Sequence, residues 1–418
     1  MRAADAAGNR ESGVGNRSAA STAALVDIPL SLYLHFPWCV RKCPYCDFNS
    51  HAARGDIEED RYVDALIRDL DYEIRLPTPD LVPVSGDSRF PALSSIFAGG
   101  GTPSLFSGRA IGRVLEAVAA RLPFAPDIEI TLEANPGTAD AGNFREYRAA
   151  GVNRLSIGVQ SLDDTQLKRL GRIHGRDEAI AAYGTARAAG FDNINLDLMY
   201  ALPQQTPQQA LTDLQAACDL APEHLSYYQL TLEPNTEFAA HPPPLPDDEA
   251  AWDMQLAGQA LLAGQGYAQY EVSAYAQPGR QCRHNRNYWE FGDYLGIGAG
   301  AHGKRSGAGG IVRRARHKHP RAYLEGAGGA AAIQEDKPVA VAELPFEYAM
   351  NALRLNQGFS RAGFERRTGL DAAVLDAALN QARQKGLIVE EGGEESGGRI
   401  RASAFGRAHL NALLREFL

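Results

Sequence analysis

What this chain lacks narrows its class before any motif is read. No run approaches the roughly 18 consecutive apolar residues that a membrane-spanning helix needs, although 44% of the 418 residues are hydrophobic, so membrane association is not indicated. A basic excess is missing too: the formal net charge is −9. The cationic stripe that nucleic-acid binding demands is therefore not expected, and neither RNA nor DNA is read as a partner. Cysteine is scarce, at five. Three of the five fall between residues 39 and 46, unlike the even, spread-out count of a secreted disulfide framework. These absences predict a cytoplasmic chain whose cysteines are kept for metal. Residues 1–25 have no apolar signal core and interleave Arg2, Arg10 and Arg17 with Asp5 and Glu11; they read as a disordered N-terminal extension.

From about residue 30 the hydrophobic period switches repeatedly between two and 3.6. Six β-rich runs stand out: Leu30 to Phe36, Ser94 to Ala98, Ile128 to Leu132, Arg154 to Val159, Asn193 to Leu198 and His224 to Leu232. Between the first two, Tyr62, Val63, Leu66, Ile67, Leu70 and Ile74 mark one helix face, and Ile111, Val114, Leu115 and Val118 mark the next. Such βα repetition requires a parallel sheet, either doubly wound or an incomplete barrel, with the chemistry at the strand C-terminal ends. Pro77 to Pro91 reads as a surface insertion, and Pro242-Pro243-Pro244 ends the repeating core, assigned to residues 26–240. Residues 241–335 read as a linking region. Residues 336–418 read as a separate unit of helices, a hairpin from Leu387 to Ala402 and a last helix, in winged-helix outline. From Glu343 onward it holds ten Lys+Arg against ten Asp+Glu, so it lacks the charge to neutralise phosphates, and docking to the main body is the expected role.

Cys39-Val-Arg-Lys-Cys43-Pro-Tyr-Cys46 places three thiols on one loop directly after the first strand. A structural zinc wants four ligands and an ordinary [4Fe-4S] cluster wants four cysteines, so three adjacent ones suggest a cluster with one open iron. A zinc site completed by a distant His or by Cys282 is the alternative that spacing leaves open. The run Gly99-Gly100-Gly101-Thr102-Pro103-Ser104 follows the second strand and is either a turn or a place where backbone approaches a ligand. Glu133, Gln160 and Asp197 lie at the ends of strands three, four and five, as in a ligand mouth, though each alone is equally explained as a cap or loop contact. His284-Asn285-Arg286-Asn287-Tyr288-Trp289 brings an imidazole and two aromatic rings together, either as ordinary core or as a surface for a flat iron-bearing ligand. Cys282 and His302 are further candidate ligands there.

The stretch Tyr33-Leu-His-Phe-Pro-Trp-Cys39-x3-Cys43-Pro-Tyr-Cys46 resembles the radical S-adenosylmethionine (SAM) signature of the coproporphyrinogen dehydrogenase (HemN) superfamily. Pro44 to Ser50 and the HNxxYW stretch at His284 to Trp289 resemble its heme-chaperone branch. The resemblance runs from about residue 29 to the C-terminus. It implies an α/β fold, an incomplete (β/α)6 radical SAM barrel followed by a C-terminal winged-helix-like α+β domain. It implies a [4Fe-4S] cluster held by Cys39, Cys43 and Cys46, with the fourth iron open to SAM. By the same resemblance Tyr33, Tyr45, Gly100, Gly101, Thr102, Glu133, Gln160, Arg172, Asp197 and Thr231 would contact SAM, and heme would bind near His284. The implied function is a heme chaperone that hands heme to an acceptor protein, served by an electron donor and working as a monomer or homodimer. The alternative is an oxygen-independent coproporphyrinogen III dehydrogenase acting through a 5′-deoxyadenosyl radical. Those enzymes carry a further cysteine two residues after the third, where this chain has Phe48. A zinc-stabilised binding protein without redox chemistry is a third reading.

Overall fold

The computed structural model describes residues 28–418 apart from 54, 77–89, 139–140, 308 and 393–397. The expected extension at 1–25 and nearly all of the Pro77–Pro91 insertion lie outside the described residues. In chain order the first half runs β1 (Leu30–Phe36), the short β2 (Trp38–Cys39) and β3 (His51–Ala52), α1 (Glu59–Glu73), β4 (Leu93–Gly100), α2 (Gly108–Ala119), β5 (Phe124–Ala134), α3 (Ala141–Ala149), β6 (Arg154–Gln160), α4 (Asp164–Arg169), α5 (Arg176–Ala188), β7 (Ile194–Tyr200), α6 (Pro207–Asp219) and β8 (His224–Gln229). Then follow α7 (Glu237–Ala240), α8 (Asp248–Gly264), β9 (Ala268–Glu271), β10 (Ala274–Ala276), α9 (Arg283–Trp289), β11 (Asp293–Ile297), β12 (His302–Gly307), β13 (Gly310–Arg316), α10 (Pro320–Gly326) and β14 (Ile333–Pro338).

One twelve-stranded sheet holds the main body, ordered β14-β13-β12-β11-β1-β4-β5-β6-β7-β8-β10-β9. Strands β1, β4, β5, β6, β7 and β8 pair in parallel, as the six βα units require, and β11 joins them as a seventh parallel strand beside β1. The stretch read as a link therefore does more than connect: β9 to β13 and part of β14 extend both edges of the sheet. Burial explains why the register is fixed. In β1 the residues Leu32, Leu34 and Phe36 pack into one core with Val63, Leu66 and Leu70 of α1. The alternate positions Ser31, Tyr33 and His35 point the other way, and a one-residue slip would exchange the two sets. The same alternation puts Glu129, Thr131 and Glu133 of β5, Arg154 and Ser156 of β6, Asn195 and Asp197 of β7, and His224 and Ser226 of β8 on one polar face. Parallel sheets covered on both sides usually read as continuous apolar runs, so a polar inner face marks a lumen rather than a packed layer.

The C-terminal unit contains α11 (Leu344–Ala352), β15 (Phe359–Ser360), α12 (Arg361–Thr368), α13 (Asp376–Gln384), β16 (Ile388–Glu391), β17 (Arg399–Ala402), α14 (Ala404–Ala408) and α15 (Leu410–Arg415), with an antiparallel sheet ordered β15-β17-β16. Its core is continuous with the main body: Phe291 and Ile311 cluster with Tyr348, Phe359, Phe364 and Leu379. The Tyr348 ring meets those of Phe291, Phe359 and Phe364 edge-on at 5.4, 5.3 and 5.2 Å.

Candidate cofactor site

The cysteine loop is built by a local device. β2 and β3 pair in parallel, Trp38 with His51 and Cys39 with Ala52, so the ten-odd residues between them must fold back as a closed lobe over the C-terminal ends of the parallel strands. Four hydrogen bonds hold the lobe. Asn49 Nδ2 donates to the carbonyls of Ala299 and Lys318, both at 2.9 Å. His35 Nε2 donates to the Asn49 carbonyl at 2.8 Å, and the Phe238 amide donates to the Pro44 carbonyl at 3.0 Å. Gly300, at φ +82°, has to be glycine because a Cβ there would collide with the Asn49 amide. Gly100, at φ +109°, is constrained in the same way, since a Cβ would strike the His35 ring. The glycine run thus lets the end of β4 lie along β2: the Gly101 and Thr102 amides donate to Phe36 and Trp38 carbonyls at 2.7 Å each.

Below the lobe is a cavity of about 290 Å³ whose walls carry all three cysteines together with Tyr45, Gly100, Gly101, Thr102, Glu133, Gln160, Arg172 and Asp197. Thr102 Oγ1 donates to Cys39 Sγ at 3.4 Å, and Arg172 Nη1 donates to Cys43 Sγ at 3.5 Å. Burial pushes the Cys39 and Cys46 thiols up from their ordinary values, a cost that thiolate bonds to iron would offset. Glu133 near the end of β5 and Asp197 within β7 meet across the intervening β6. Burial, and then the charge of Asp197, push the Glu133 carboxyl up to about 8, against the Gly100 amide that donates to its Oε2 at 3.0 Å. Asp197 is also pushed up by burial, while Asn195 and Ser156 donate to it at 2.8 and 3.1 Å. Two enclosed acids at the same cavity call for a cationic ligand. Arg172 answers with the opposite charge: its Nη2 donates to the Gly158 carbonyl at 2.6 Å, and its Nε is buried without a partner. A sulfonium and ammonium near the acids and a carboxylate near the arginine match that arrangement.

Eleven of the fourteen predicted site residues line this cavity; Tyr33, Thr231 and His284 do not. Tyr33 lies one layer deeper, its hydroxyl bonded to His35 Nδ1 at 3.1 Å. Thr231 is exposed and donates to Glu233 at 2.8 Å, off the cavity walls. His284 departs from expectation. It is buried, its Nδ1 lies 3.0 Å from Ser95 Oγ and its Nε2 2.8 Å from Tyr288 Oη, so neither nitrogen is open to iron. Burial lowers its pKa to about 3 and keeps it neutral. Cys282 is likewise remote from the other thiols. Its Sγ donates to Glu129 Oε1 at 3.5 Å, four residues or roughly 13 Å down β5 from Glu133, and burial raises its thiol to about 12. Cys282, the fourth ligand named for the zinc alternative, therefore stands apart from the cysteine loop. His302 is exposed beside Arg313 and Glu335.

Sequence reasoning missed the lumen beneath the cavity. Asn195 Oδ1 lies 2.6 Å from His224 Nδ1, His224 Nε2 lies 2.9 Å from Tyr270 Oη, and Tyr228 Oη donates to Gln160 Oε1 at 2.8 Å. The signal was present as polar residues at every second position of each strand.

Comparisons with known proteins agree with this geometry. Residues 33–217 match the radical SAM superfamily, and residues 339–407 match the HemN C-terminal domain. The heme chaperone HemW of Escherichia coli strain K12 is 48% identical over 391 residues, covering 93% of this chain and 98% of that protein. HemW of Mycobacterium tuberculosis is 34% identical over 84% of this chain and 89% of its own length, and the mitochondrial radical SAM domain-containing protein 1 of Mus musculus is 42% identical over 68% and 63%. A solved structure of the E. coli coproporphyrinogen III oxidase HemN superposes with a TM-score of 0.76 at 24% identity, covering 93% of this chain and 90% of that one, which establishes the fold. The chain is a radical SAM protein, and its cofactors are those of that class, a [4Fe-4S] cluster and SAM. Within the class it belongs to the HemW family.

Proposed function

We propose that this chain is a heme chaperone that binds heme and transfers it to an acceptor protein. The observation that carries the reading is likeness along nearly the whole length, 48% identity across 98% of the E. coli heme chaperone. Cys39, Cys43 and Cys46 hold the cluster, leaving one iron for SAM, whose binding at that iron supplies the redox chemistry of the class. Gly100, Gly101, Thr102, Glu133, Gln160, Arg172 and Asp197 form the walls that orient SAM, and the lobe built on β2 and β3 supplies the thiols on the facing side. An electron donor and the acceptor complete the partners, and the protein works in the cytoplasm; among the described residues no helix is long and apolar enough to cross a membrane. The dehydrogenase reading has support at the level of fold alone, and Phe48 stands 60% exposed on the cavity rim where those enzymes carry a thiol.

Anaerobic protein incubated with heme, and separately with coproporphyrinogen III, SAM and a reductant, separates the two. A heme absorption band without porphyrinogen turnover is the expected result. Turnover would overturn the chaperone reading.

A further inference from the structure

The segment at α9 has two faces with different surroundings. His284, Asn287 and Tyr288 bond into the barrel, Asn287 Nδ2 donating to Ser31 Oγ at 2.8 Å. Trp289, about 140° round the helix from His284, faces instead a second cavity of about 600 Å³ between α9, α11 and α15. Phe346, Leu410 and Leu414 give it apolar walls, two arginines, Arg354 and Arg415, line it, and no Asp or Glu does. Two of its buried nitrogens have no partner, Trp289 Nε1 and Arg354 Nε. The Arg354 guanidinium lies over the Trp289 ring at 4.3 Å and gives one bond to Glu271 at 3.2 Å. Arg415 is exposed.

We propose that heme occupies this cavity, with Trp289 and Phe346 against the macrocycle and Arg354 and Arg415 toward the two propionates. The inference rests on the heme-chaperone reading and adds to it the place where the cargo sits. Size favours it: small-ligand pockets run to roughly 300–1,000 Å³, whereas the 290 Å³ cavity at the strand ends already has SAM to hold. Charge favours it too: no acid lines the cavity, Arg354 keeps an unbonded Nε beside its one bond to Glu271, and arginine pairs with carboxylates through two parallel bonds. Met350 is the one lining side chain with an atom that bonds heme iron, so an axial bond from this cavity would come from its sulfur.

The test is a heme titration of the cluster-bearing protein, read by the Soret band and by quenching of tryptophan emission, for wild type, Arg415→Glu, Leu414→Asp and Met350→Leu. Retained iron and an unchanged SAM effect on the cluster's EPR spectrum show that each variant is folded. Arg415→Glu and Leu414→Asp should each weaken heme binding roughly tenfold or more, and Met350→Leu should move the band. Heme dimethyl ester, which lacks the propionate charges, should bind wild type and Arg415→Glu alike. Wild-type affinity and spectrum in all three variants overturn the cavity as heme's seat and leave the chaperone reading standing. If wild type binds no heme at all, the chaperone reading itself fails, and the inference with it.

Discussion

At the scale of single residues, the three loop cysteines and Glu133 make the sharpest demands. Two thiolates cannot keep a four-iron cluster against hydrolysis, so Cys39→Ala, Cys43→Ala or Cys46→Ala should each lose nearly all iron and sulfide. Cys218→Ala is the control: this cysteine is buried in α6 among apolar neighbours, and its loss should leave iron content close to wild type. Glu133 predicts a pH dependence. Its carboxyl is pushed up to about 8 from the ordinary 4.5, so between those values the folded chain holds a proton that the unfolded chain has released, and stability falls as pH rises through that window. SAM is cationic at its sulfonium and ammonium, and its affinity should rise from about pH 6.5 to about pH 8.5 as Glu133 ionises. Glu133→Gln should flatten that profile and, without SAM, raise the thermal midpoint at high pH by a few degrees. A profile unchanged by the substitution would detach Glu133 from SAM.

At the scale of elements, α9 and α1 are held by buried polar bonds. His284→Ala would leave Ser95 and Tyr288 facing a void inside the barrel, and should cost about 2–4 kcal/mol by urea denaturation. With heme seated against Trp289 instead, the Soret position of bound heme should be unchanged. On α1, Asp69 and Glu73 receive Arg316 at 2.9 and 2.6 Å, and the Tyr323 hydroxyl donates to Asp69 at 2.9 Å. Arg316→Met would strand buried Asp69 without a cation, while Glu73 keeps Arg314 at 2.7 Å, and should cost about 3–5 kcal/mol, seen as a large fall in thermal midpoint.

At the scale of the molecule, the C-terminal unit does not hang free. Arg313 of β13 pairs with Glu347 of α11, and Phe291, 1% exposed, packs between the Lys304 ammonium, 4.2 Å from its ring, and Tyr348. Phe291→Ala should therefore destabilise by about 3–5 kcal/mol, and unfolding followed by a probe in the main body and a probe in the C-terminal unit should shift together. Independent shifts would mean the shared core does not couple them. The near-equal charges of this unit pointed to docking rather than to nucleic acid, but the docking surface was hidden because its members, Phe291, Ile311 and Tyr348, are separated by tens of residues and lie in no common period.

Local chemistry alone settled the βα repeat, the parallel strands and the three-thiol loop, because period-two burial, helix faces and cysteine spacing are properties of neighbouring residues. It also named Glu133 and Asp197 as acids near strand ends, since a strand's limits are legible from its flanking turns, although Asp197 stands three residues before the end of β7. Only the tertiary structure decided that β11 joins β1 as a seventh parallel strand, that Asn49 and Gly300 clamp the cysteine loop across some 250 residues, and that His284 turns inward while Trp289 turns outward. Those outcomes depend on which distant surfaces meet. A helix of seven residues exposes every one of its side chains to one neighbour or another, and its sequence does not say which side faces the barrel.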